Sequence, residues 1–223
     1  MANIANHGDN ILVLGTDDTD SIYNDRWNVT VDASAGNDTI QNSSEWSHHS
    51  IIDAGKGNDT IYNYGANVSI DAGAGNDSIE NSGTSSFIIM GSGNDFITNG
   101  GGNVSIYAGS GNDTIILGDE SKKNLIQYAA GDGSDMIRGF GEDDTLLIGD
   151  GTDTYSISKK GKSMVVTVGE NIITLAGAAS LSTLNITGAR ILTLTDADKS
   201  KPKIDSDVKI ATRRLEATMS FKL

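Results

Sequence analysis

The chain of 223 residues contains no cysteine and one proline, and only 5% of its residues are aromatic. Without cysteine it has neither a disulfide framework nor a thiol nucleophile, which fits a secreted protein stabilised by metal as well as a cytosolic one. The N-terminal segment has no basic region and no long apolar run, so we expect neither a signal peptide nor membrane insertion. HExxH, GxSxG and P-loop patterns are missing too, and we therefore expect no enzymatic activity.

Basic residues are also scarce: the chain has 16 Lys and Arg against 30 Asp and Glu. Its net charge is therefore −14. This balance argues against nucleic acids and anionic membrane surfaces as partners. A compact body with this charge repels itself unless cations neutralise it, and about five divalent ions would remove roughly ten charges. The negative charge is also consistent with a role in solubility alone, and charge by itself does not exclude this interpretation.

What the chain does have is glycine, 27 residues of it, and an internal repeat. Spacings of 18, 21, 18, 18, 18 and 22 residues separate a row of aspartates, and an isoleucine follows each of them by two residues. An apolar residue also precedes each aspartate by seven residues. The pattern predicts coils of two short strands and two tight turns, stacked in parallel with the Ile and Val rows buried between two sheets. The row consists of Asp20, Asp38, Asp59, Asp77, Asp95, Asp113 and Asp135.

One turn of each coil has the form GxGND, as in the segment DAGAGNDSI that begins at Asp71. Paired glycines permit a tight turn with carbonyls pointing inward, and the aspartate adds a charged oxygen beside them. Oxygen ligands on a compact loop suit a hard cation such as calcium. Asn and Asp also cap ordinary turns, but a turn does not need Asp at the same place seven times.

The opposite turn is rich in Asn and Gly and lacks this aspartate. A row of asparagines there, at Asn24, Asn42, Asn63, Asn81 and Asn99, predicts amide hydrogen bonds along the axis of the coil. The longer units place their extra residues near SSEWSHHS (43–50) and DESKKN (119–124), on this same edge. Insertions thus avoid the GxGND loops, as expected if those loops stack in register.

Beyond residue 140 the repeat ends. The segments TYSIS, MVVTV and IITL alternate like antiparallel hairpins, AGAASLSTL suggests one short helix and ARILTLT a last strand, while Asp144 falls on the other edge. We expect an all-β fold: a right-handed parallel β-roll or β-solenoid over residues 1–140, followed by a small antiparallel β cap over 141–195. Residues 196–223 are predicted to be a tail or linker, with Arg213 and Arg214 as solvated residues.

These loops resemble the RTX (repeats-in-toxin) family of bacterial calcium-binding β-rolls, whose nonapeptide is G-G-x-G-x-D-x-U-x. The loop at Ser34 keeps one of the two glycines, and the loop TDDTD (16–20) has neither. The resemblance implies about five calcium ions on one edge, with the seven aspartates as carboxylate ligands and Asp18 helping Asp20 to close the first site. The glycines implied to supply carbonyls are Gly36, Gly55, Gly57, Gly73, Gly75, Gly91, Gly93, Gly109, Gly111, Gly131 and Gly133.

The family further implies a structural module of a secreted bacterial protein that folds on binding calcium. Its location would be extracellular or on the cell surface, after type I secretion without an N-terminal signal peptide. Alternatives are a surface-layer, adhesin or self-assembling subunit that associates end to end or with other surface proteins, and the non-catalytic C-terminal part of a secreted hydrolase. Ice binding is disfavoured, because the residue between the two glycines is never Thr.

Two further groups of residues could be interpreted as binding sites, but each has a simpler interpretation. His48 and His49 with Glu45 have the composition of a transition-metal site, yet we interpret them as solvated residues of a surface loop. Trp27 and Trp46 lie on the edge without aspartates, and we expect them to pack over the insertion.

Overall fold

The structure is a computed structural model that describes residues 1–43, 47–149, 154–188, 190–196 and 209–211. Glu45, Trp46, Arg213 and Arg214 lie outside these residues, as does most of the predicted tail. The strands are β1 (Asn3–Asn6), β2 (Leu12–Leu14), β3 (Ser21–Asn24), β4 (Thr30–Asp32), β5 (Thr39–Asn42), β6 (Ile51–Asp53), β7 (Thr60–Asn63), β8 (Ser69–Asp71), β9 (Ser78–Asn81), β10 (Phe87–Ile89), β11 (Phe96–Asn99), β12 (Ser105–Tyr107), β13 (Thr114–Leu117), β14 (Leu125–Tyr128), β15 (Asp135–Arg138), β16 (Thr145–Ile148), β17 (Thr154–Lys160), β18 (Ser163–Val168), β19 (Asn171–Ala176), β20 (Thr183–Thr187), β21 (Arg190–Asp196) and β22 (Lys209–Ala211).

The strands form two sheets, and successive strands of the repeat region alternate between the first sheet and the second. The first sheet runs β1-β3-β5-β7-β9-β11-β13-β15-β19-β18-β17-β21, and the second runs β2-β4-β6-β8-β10-β12-β14-β16-β20-β22. Neighbouring repeat strands are parallel and pair at the repeat spacing, so that Ile61 faces Ile79 and Ile70 faces Ile88. The predicted parallel β-solenoid is confirmed.

The core lies between the two sheets. Along each strand side chains alternate between the interior and the solvent, so the Ile two residues after each aspartate points inward and its Ser, Thr or Tyr neighbours point outward. Ile61 and Ile70, one from each sheet, have no exposed surface, and the other Ile and Val residues of the two rows are buried as well. Each coil buries its apolar residues against the coils beside it, so its stability depends on its neighbours.

The C-terminal region contains the predicted antiparallel hairpins, in which β18 pairs with β17 on one side and with β19 on the other. However, parallel pairing continues past residue 140. In the second sheet β16 adds to β14 and β20 adds to β16, while β19 adds in parallel to β15 of the first sheet. The hairpins thus return the chain to the solenoid, where β19 and β20 take the places of coil strands.

The predicted short helix is a three-residue 3₁₀ turn at Ala178–Ser180. The last predicted strand is present as β21, which lies beside β17. Within the predicted tail, β22 pairs with β20. The part of the chain that the structure describes contains no helix with the length and apolarity needed to cross a membrane.

Candidate metal centre along one edge

The GxGND loops stack directly on one another. The residue between the two glycines forms a parallel bridge to its counterpart in the next coil, through Ala35, Lys56, Ala74, Ser92 and Ser110 in turn. Ala74 shows the contacts: its N–H donates to the carbonyl oxygen of Gly55 at 2.9 Å, and its own carbonyl accepts from the N–H of Gly57 at 2.8 Å. The loops therefore form a continuous ladder along one edge of the solenoid.

Glycine is required in this ladder for two reasons. Gly75 has a φ of 141°, in a region that side-chain-bearing residues rarely adopt, and a Cβ on it would overlap the carbonyl oxygen of Gly57. Gly55, Gly57, Gly73, Gly91, Gly93, Gly109, Gly111 and Gly133 make the same close approach to a carbonyl of the preceding loop. At the first-glycine position Ser34 has a φ of 73°, and Gly131 has a φ of 101° but would meet no atom within 4 Å with an added Cβ.

The aspartates form a second ladder just inside the loops. The backbone N–H of each aspartate donates to Oδ1 of the aspartate in the next coil, and these side chains are buried. The N-to-Oδ1 distances lie between 2.6 and 2.8 Å for the pairs Asp20–Asp38, Asp38–Asp59, Asp59–Asp77, Asp77–Asp95, Asp95–Asp113 and Asp113–Asp135. The structure thus brings all seven predicted carboxylates together in one row.

The second carboxylate oxygen distinguishes six of these residues from the seventh. Oδ2 is buried and has no hydrogen-bond partner among the described residues in Asp38, Asp59, Asp77, Asp95, Asp113 and Asp135. A buried polar atom without a partner is costly, and an ionised one more so. Six such atoms in one row indicate that the fold holds them for a ligand that it does not itself supply.

Burial acts on the protonation of the same carboxyls. It raises the pKa of Asp59 and Asp95 to about 6, against the effect of the N–H bond that each accepts. It also raises the pKa of Asp77, Asp113 and Asp135 to about 7, and in each of them a neighbouring carboxylate adds to the shift. Without a cation, the ionised form of this row is therefore disfavoured.

Asp20 differs because the chain satisfies both of its oxygens. Oδ1 accepts from the N–H of Ala2 at 2.7 Å, and Oδ2 accepts from Thr16 at 2.6 Å from its N–H and at 2.9 Å from its hydroxyl. The bond from Ala2 is the largest of the effects that lower the pKa of Asp20. Asp18, the other predicted contributor, is exposed and lies 3.9 Å from the N-terminal amine.

Backbone carbonyls complete the donor set of this edge. The first-glycine carbonyls of Gly55, Gly73 and Gly91 accept N–H groups of the next loop. No hydrogen bond reaches the second-glycine carbonyls of Gly36, Gly57, Gly75 and Gly93 from any residue that the structure describes. Carboxylate and backbone carbonyl oxygens are the hard donors that calcium requires, so the chemistry of these residues fits this ion.

The edge does not contain a compact cluster of metal-binding side chains. Among the described residues no group of three or more His, Asp or Glu side chains has the geometry to hold a metal. This follows from the architecture, because each coil contributes one carboxylate to the row. An ion here would take its remaining ligands from the backbone, and the predicted ligand set stays a prediction.

The opposite edge has the predicted asparagine ladder. Nδ2 of Asn63 donates to Oδ1 of Asn81 at 2.7 Å, and Oδ1 of Asn63 accepts from Nδ2 of Asn42 at 2.8 Å. The same side chains also bind their own turns, as Asn63 does with Gly65. The buried row on this edge, from Asn24 to Asn99, thus consists of neutral amides that satisfy one another.

The ladder is longer than predicted at both ends. It begins at Asn6, which donates to Asn24 at 2.7 Å, and continues past Asn99 through Ser121 and Asn124 to Asp144. The 18-residue spacing from Asn24 would have identified Asn6. The spacing does not identify Asn124 and Asp144 as members of the ladder, because the last units are longer than 18 residues. Asp144 does lie on the predicted edge.

A residue of the cap closes the C-terminal end of the loop ladder. With its side-chain oxygen turned toward the last GxGxD loop, Asn171 accepts the N–H groups of Gly131 at 3.0 Å and Gly133 at 3.3 Å. The N–H of Ile172 donates to Oγ of Ser134 at 3.2 Å. Sequence reasoning missed Asn171, which begins strand β19 of a hairpin and has no repeat spacing.

Of the histidine and tryptophan candidates, the structure describes His48, His49 and Trp27, and it groups none of the described histidines with two other metal-binding side chains. Nδ1 of His48 accepts the N–H of Ala66 at 3.2 Å, so this histidine fastens a turn. Trp27 is half exposed rather than packed.

Sequence comparison gives a family for the stacked loops. Residues 53–83, 91–121 and 128–155 match the family described as RTX calcium-binding nonapeptide repeat (4 copies). The matched stretches lie on the ladder of GxGxD loops and run into the first residues of β17. The solenoid is an RTX β-roll. Its repeats are calcium-binding repeats, as the resemblance implied.

Other comparisons add little to the identification of the RTX β-roll. No curated protein matches the chain in sequence. The crystal structure of the extracellular lipase LipA from Serratia marcescens matches with 16% identity and a TM-score of 0.35, covering 77% of this chain and 38% of the lipase. The chain thus spans well under half the length of that lipase, and a likeness at this level carries no function over to it.

Proposed function

We propose that this chain is a structural module that folds, or becomes rigid, when calcium ions bind in a row along the GxGxD edge. The observation that carries the proposal is the row of six buried Oδ2 atoms without partners. The ions would be held by these carboxylates and by loop carbonyls such as Gly57 and Gly75. Bound calcium would supply positive charge where the fold has buried negative charge.

The simpler interpretation, that each GND is only a good turn, does not account for the second oxygen. The turn and the ladder use Oδ1 alone, as the bond from Asp59 N–H to Asp77 shows. An asparagine would provide the same acceptor without a buried charge. Six carboxylates that retain a buried Oδ2 without a partner therefore favour a cation over a turn-forming role.

Folding and calcium binding would be coupled in this module. The like charges of the row lie one coil apart, about 4.8 Å along the sheet, so the ion-free solenoid concentrates repulsion in its interior. Calcium removes this repulsion only when the loops are stacked, and its binding energy becomes folding energy. With one ion between neighbouring loops, the six loops whose aspartate has a free Oδ2 give about five ions.

The natural location of such a module is a compartment rich in calcium. We propose that the chain acts outside the cell or at its surface and is exported by type I secretion. In calcium-poor cytosol the acidic chain would stay uncollapsed, and it would fold after export.

Circular dichroism and calorimetry test the proposal. The chain is freed of calcium and titrated with CaCl₂, with MgCl₂ as the control, because magnesium keeps its waters and demands a smaller octahedral site. We expect a rise in β signal at calcium concentrations where calorimetry shows several ions binding. An unchanged β spectrum with no heat of binding would refute the calcium module.

A second role, as a self-assembling subunit, is favoured by the N-terminal end of the solenoid. Strands β1 and β2 are the terminal strands of their sheets, and no described strand pairs with their outer sides. Leu12 and Leu14 beside this end are more than half exposed. Light scattering at increasing calcium distinguishes a monomer from an assembly, and a constant monomer mass would remove this role.

A further inference from the structure

We infer that the first loop, residues 16–20, is a metal-free cap of the ion row, in which Thr16 supplies to Asp20 the partner that calcium supplies to the later carboxylates. This inference rests on the proposed function and adds a boundary to it. The row of ions would begin at Asp38, although Asp20 occupies the same position in the repeat.

Asp20 is in register with the calcium-site aspartates. Its N–H donates to Oδ1 of Asp38 at 2.6 Å, as each later aspartate does to its successor, and its residue is 1% exposed. Ile22 follows it in the core like the isoleucines of the later coils. The difference is therefore local and not a consequence of fraying at the end of the solenoid.

The local difference is that Thr16 supplies two hydrogen-bond donors to the carboxylate of Asp20. The N–H and the hydroxyl of Thr16 both contact Oδ2 of Asp20, at 2.6 and 2.9 Å, and Ala2 N–H occupies Oδ1 at 2.7 Å. Charged acceptors bound by several donors remain ionised without a cation.

The backbone of the loop 16–20 also differs from that of the GxGND loops. Thr16 and Asp18 stand where the GxGND loops have their two glycines, and neither has a positive φ. In the next loop Ser34 and Gly36, at these same positions, have φ values of 73° and 131°. The first loop therefore follows another path, which aims the N–H of Thr16 at the carboxylate.

Such a cap gives the ladder a defined end. Among the described residues, the loop 16–20 has a stacked loop on one side only, where Gly36 approaches Asp18. Donors from the same loop satisfy the last carboxylate without a stacked loop on the other side. Asn171 closes the other end of the ladder with its side chain, so both ends are closed by the chain itself.

Native mass spectrometry at saturating calcium tests the boundary. The chain is compared with the variants Asp20→Asn and Asp77→Asn, and circular dichroism verifies that each is folded. We expect Asp20→Asn to retain the ion count of the unsubstituted chain and Asp77→Asn to lose at least one ion. Loss of an ion from Asp20→Asn equal to that from Asp77→Asn would overturn the inference. No ions on the unsubstituted chain would instead refute the proposed function.

A crystal of the unsubstituted chain grown with calcium keeps the test decisive if Asp20→Asn does not fold. Anomalous scattering locates each ion. We expect ions from Asp38 onward and Thr16 still bound to Asp20. An ion at coordination distance from Oδ2 of Asp20, about 2.3–2.6 Å, would overturn the inference. Thr16→Val adds a readout on the cap itself: we expect a lower melting temperature with the same ion count.

Discussion

The backbone N–H of Asp59 donates to Oδ1 of Asp77 at 2.7 Å, while Oδ2 of Asp77 is buried without a hydrogen-bond partner among the described residues. One carboxylate thus has two functions. Its first oxygen accepts the hydrogen bond that links neighbouring coils, and its second is buried where the described residues provide no donor. In the proposed calcium module, the same side chains would form both the ladder and the ion row.

The first prediction separates these two functions of Asp77. In Asp77→Asn the amide oxygen still accepts from Asp59, but the charge is lost. We expect fewer bound ions and a calcium midpoint raised about tenfold, equivalent to about 1.4 kcal/mol. Calcium titration followed by circular dichroism measures the midpoint.

Asp71→Asn is the matched control for Asp77→Asn. Asp71 belongs to the same repeat unit but is exposed at the end of β8, on the outer face of the second sheet. It loses the same charge outside the row, so we expect a midpoint within about twofold of that of the unsubstituted chain. Equal shifts in the two variants would mean that only net charge matters.

The second prediction concerns the close approach of the loops. In Gly75→Ala the new Cβ would overlap the carbonyl oxygen of Gly57, so the loops must separate. We expect the free energy of unfolding of the calcium-loaded chain to fall by about 3 kcal/mol or more. Urea denaturation at saturating calcium measures this change.

Gly169→Ala distinguishes overlap from backbone strain in that experiment. Gly169 has a φ of 61° in a hairpin turn, and a Cβ there would meet no atom within 4 Å. Its substitution introduces strain without overlap, and we expect a loss of about 1 kcal/mol. If Gly75→Ala cost no more than Gly169→Ala, stacking would not be the reason for the loop glycines.

Much of this architecture was predictable because each regular coil has the same residue pattern and therefore the same packing and hydrogen bonding. Ile61 and Ile79 occur at a fixed distance from an aspartate, and the same spacing that places them in one row buries both. The asparagine ladder followed from the same argument. Wherever a residue keeps the period, its environment is that of its neighbours one coil away.

The unpredicted features lie where the period ends. Asn171 reaches the last loop from a hairpin that belongs to no repeat, and Thr16 binds Asp20 through a loop without glycines. Hydrogen bonds between a side chain and a carboxylate depend on the path of an irregular backbone, and spacing does not specify that path. Likewise, spacing gave no sign that β19 returns in parallel to β15.

The third prediction tests the asparagine edge independently of calcium. Asn63→Ala removes a buried side chain that binds Asn81, Asn42 and its own turn. The partners lose hydrogen bonds in a buried place, so we expect a loss of about 2–3 kcal/mol. Thermal or urea unfolding with calcium present measures it, and the ion count should stay constant.

Gln41→Ala provides the control for the asparagine edge. Gln41 lies on the neighbouring strand β5 with its side chain exposed, and we expect a change within about 0.5 kcal/mol. A fall in ion count for Asn63→Ala would show instead that the two edges are coupled.

The last prediction concerns pH. In the ion-free fold the pKa of Asp77, Asp113 and Asp135 is raised to about 7, mainly by burial. A folded-state pKa above the ordinary value means that the folded chain holds protons more tightly than the unfolded one. The ion-free fold should therefore be favoured below about pH 4 and lose stability as pH rises to about 7.

Calcium reverses this dependence because it competes with protons for the same oxygens. For an ion-free chain that keeps its fold, we expect the calcium midpoint to be higher at about pH 5 than at about pH 8, with protons released on binding near pH 6. Calorimetry in two buffers of different ionisation enthalpy counts the released protons. Asp77→Asn should release fewer than Asp71→Asn, since only the former removes a carboxyl of the row. Proton release that is the same in both variants would show that the ion-free chain does not hold protons on a folded row of carboxyls.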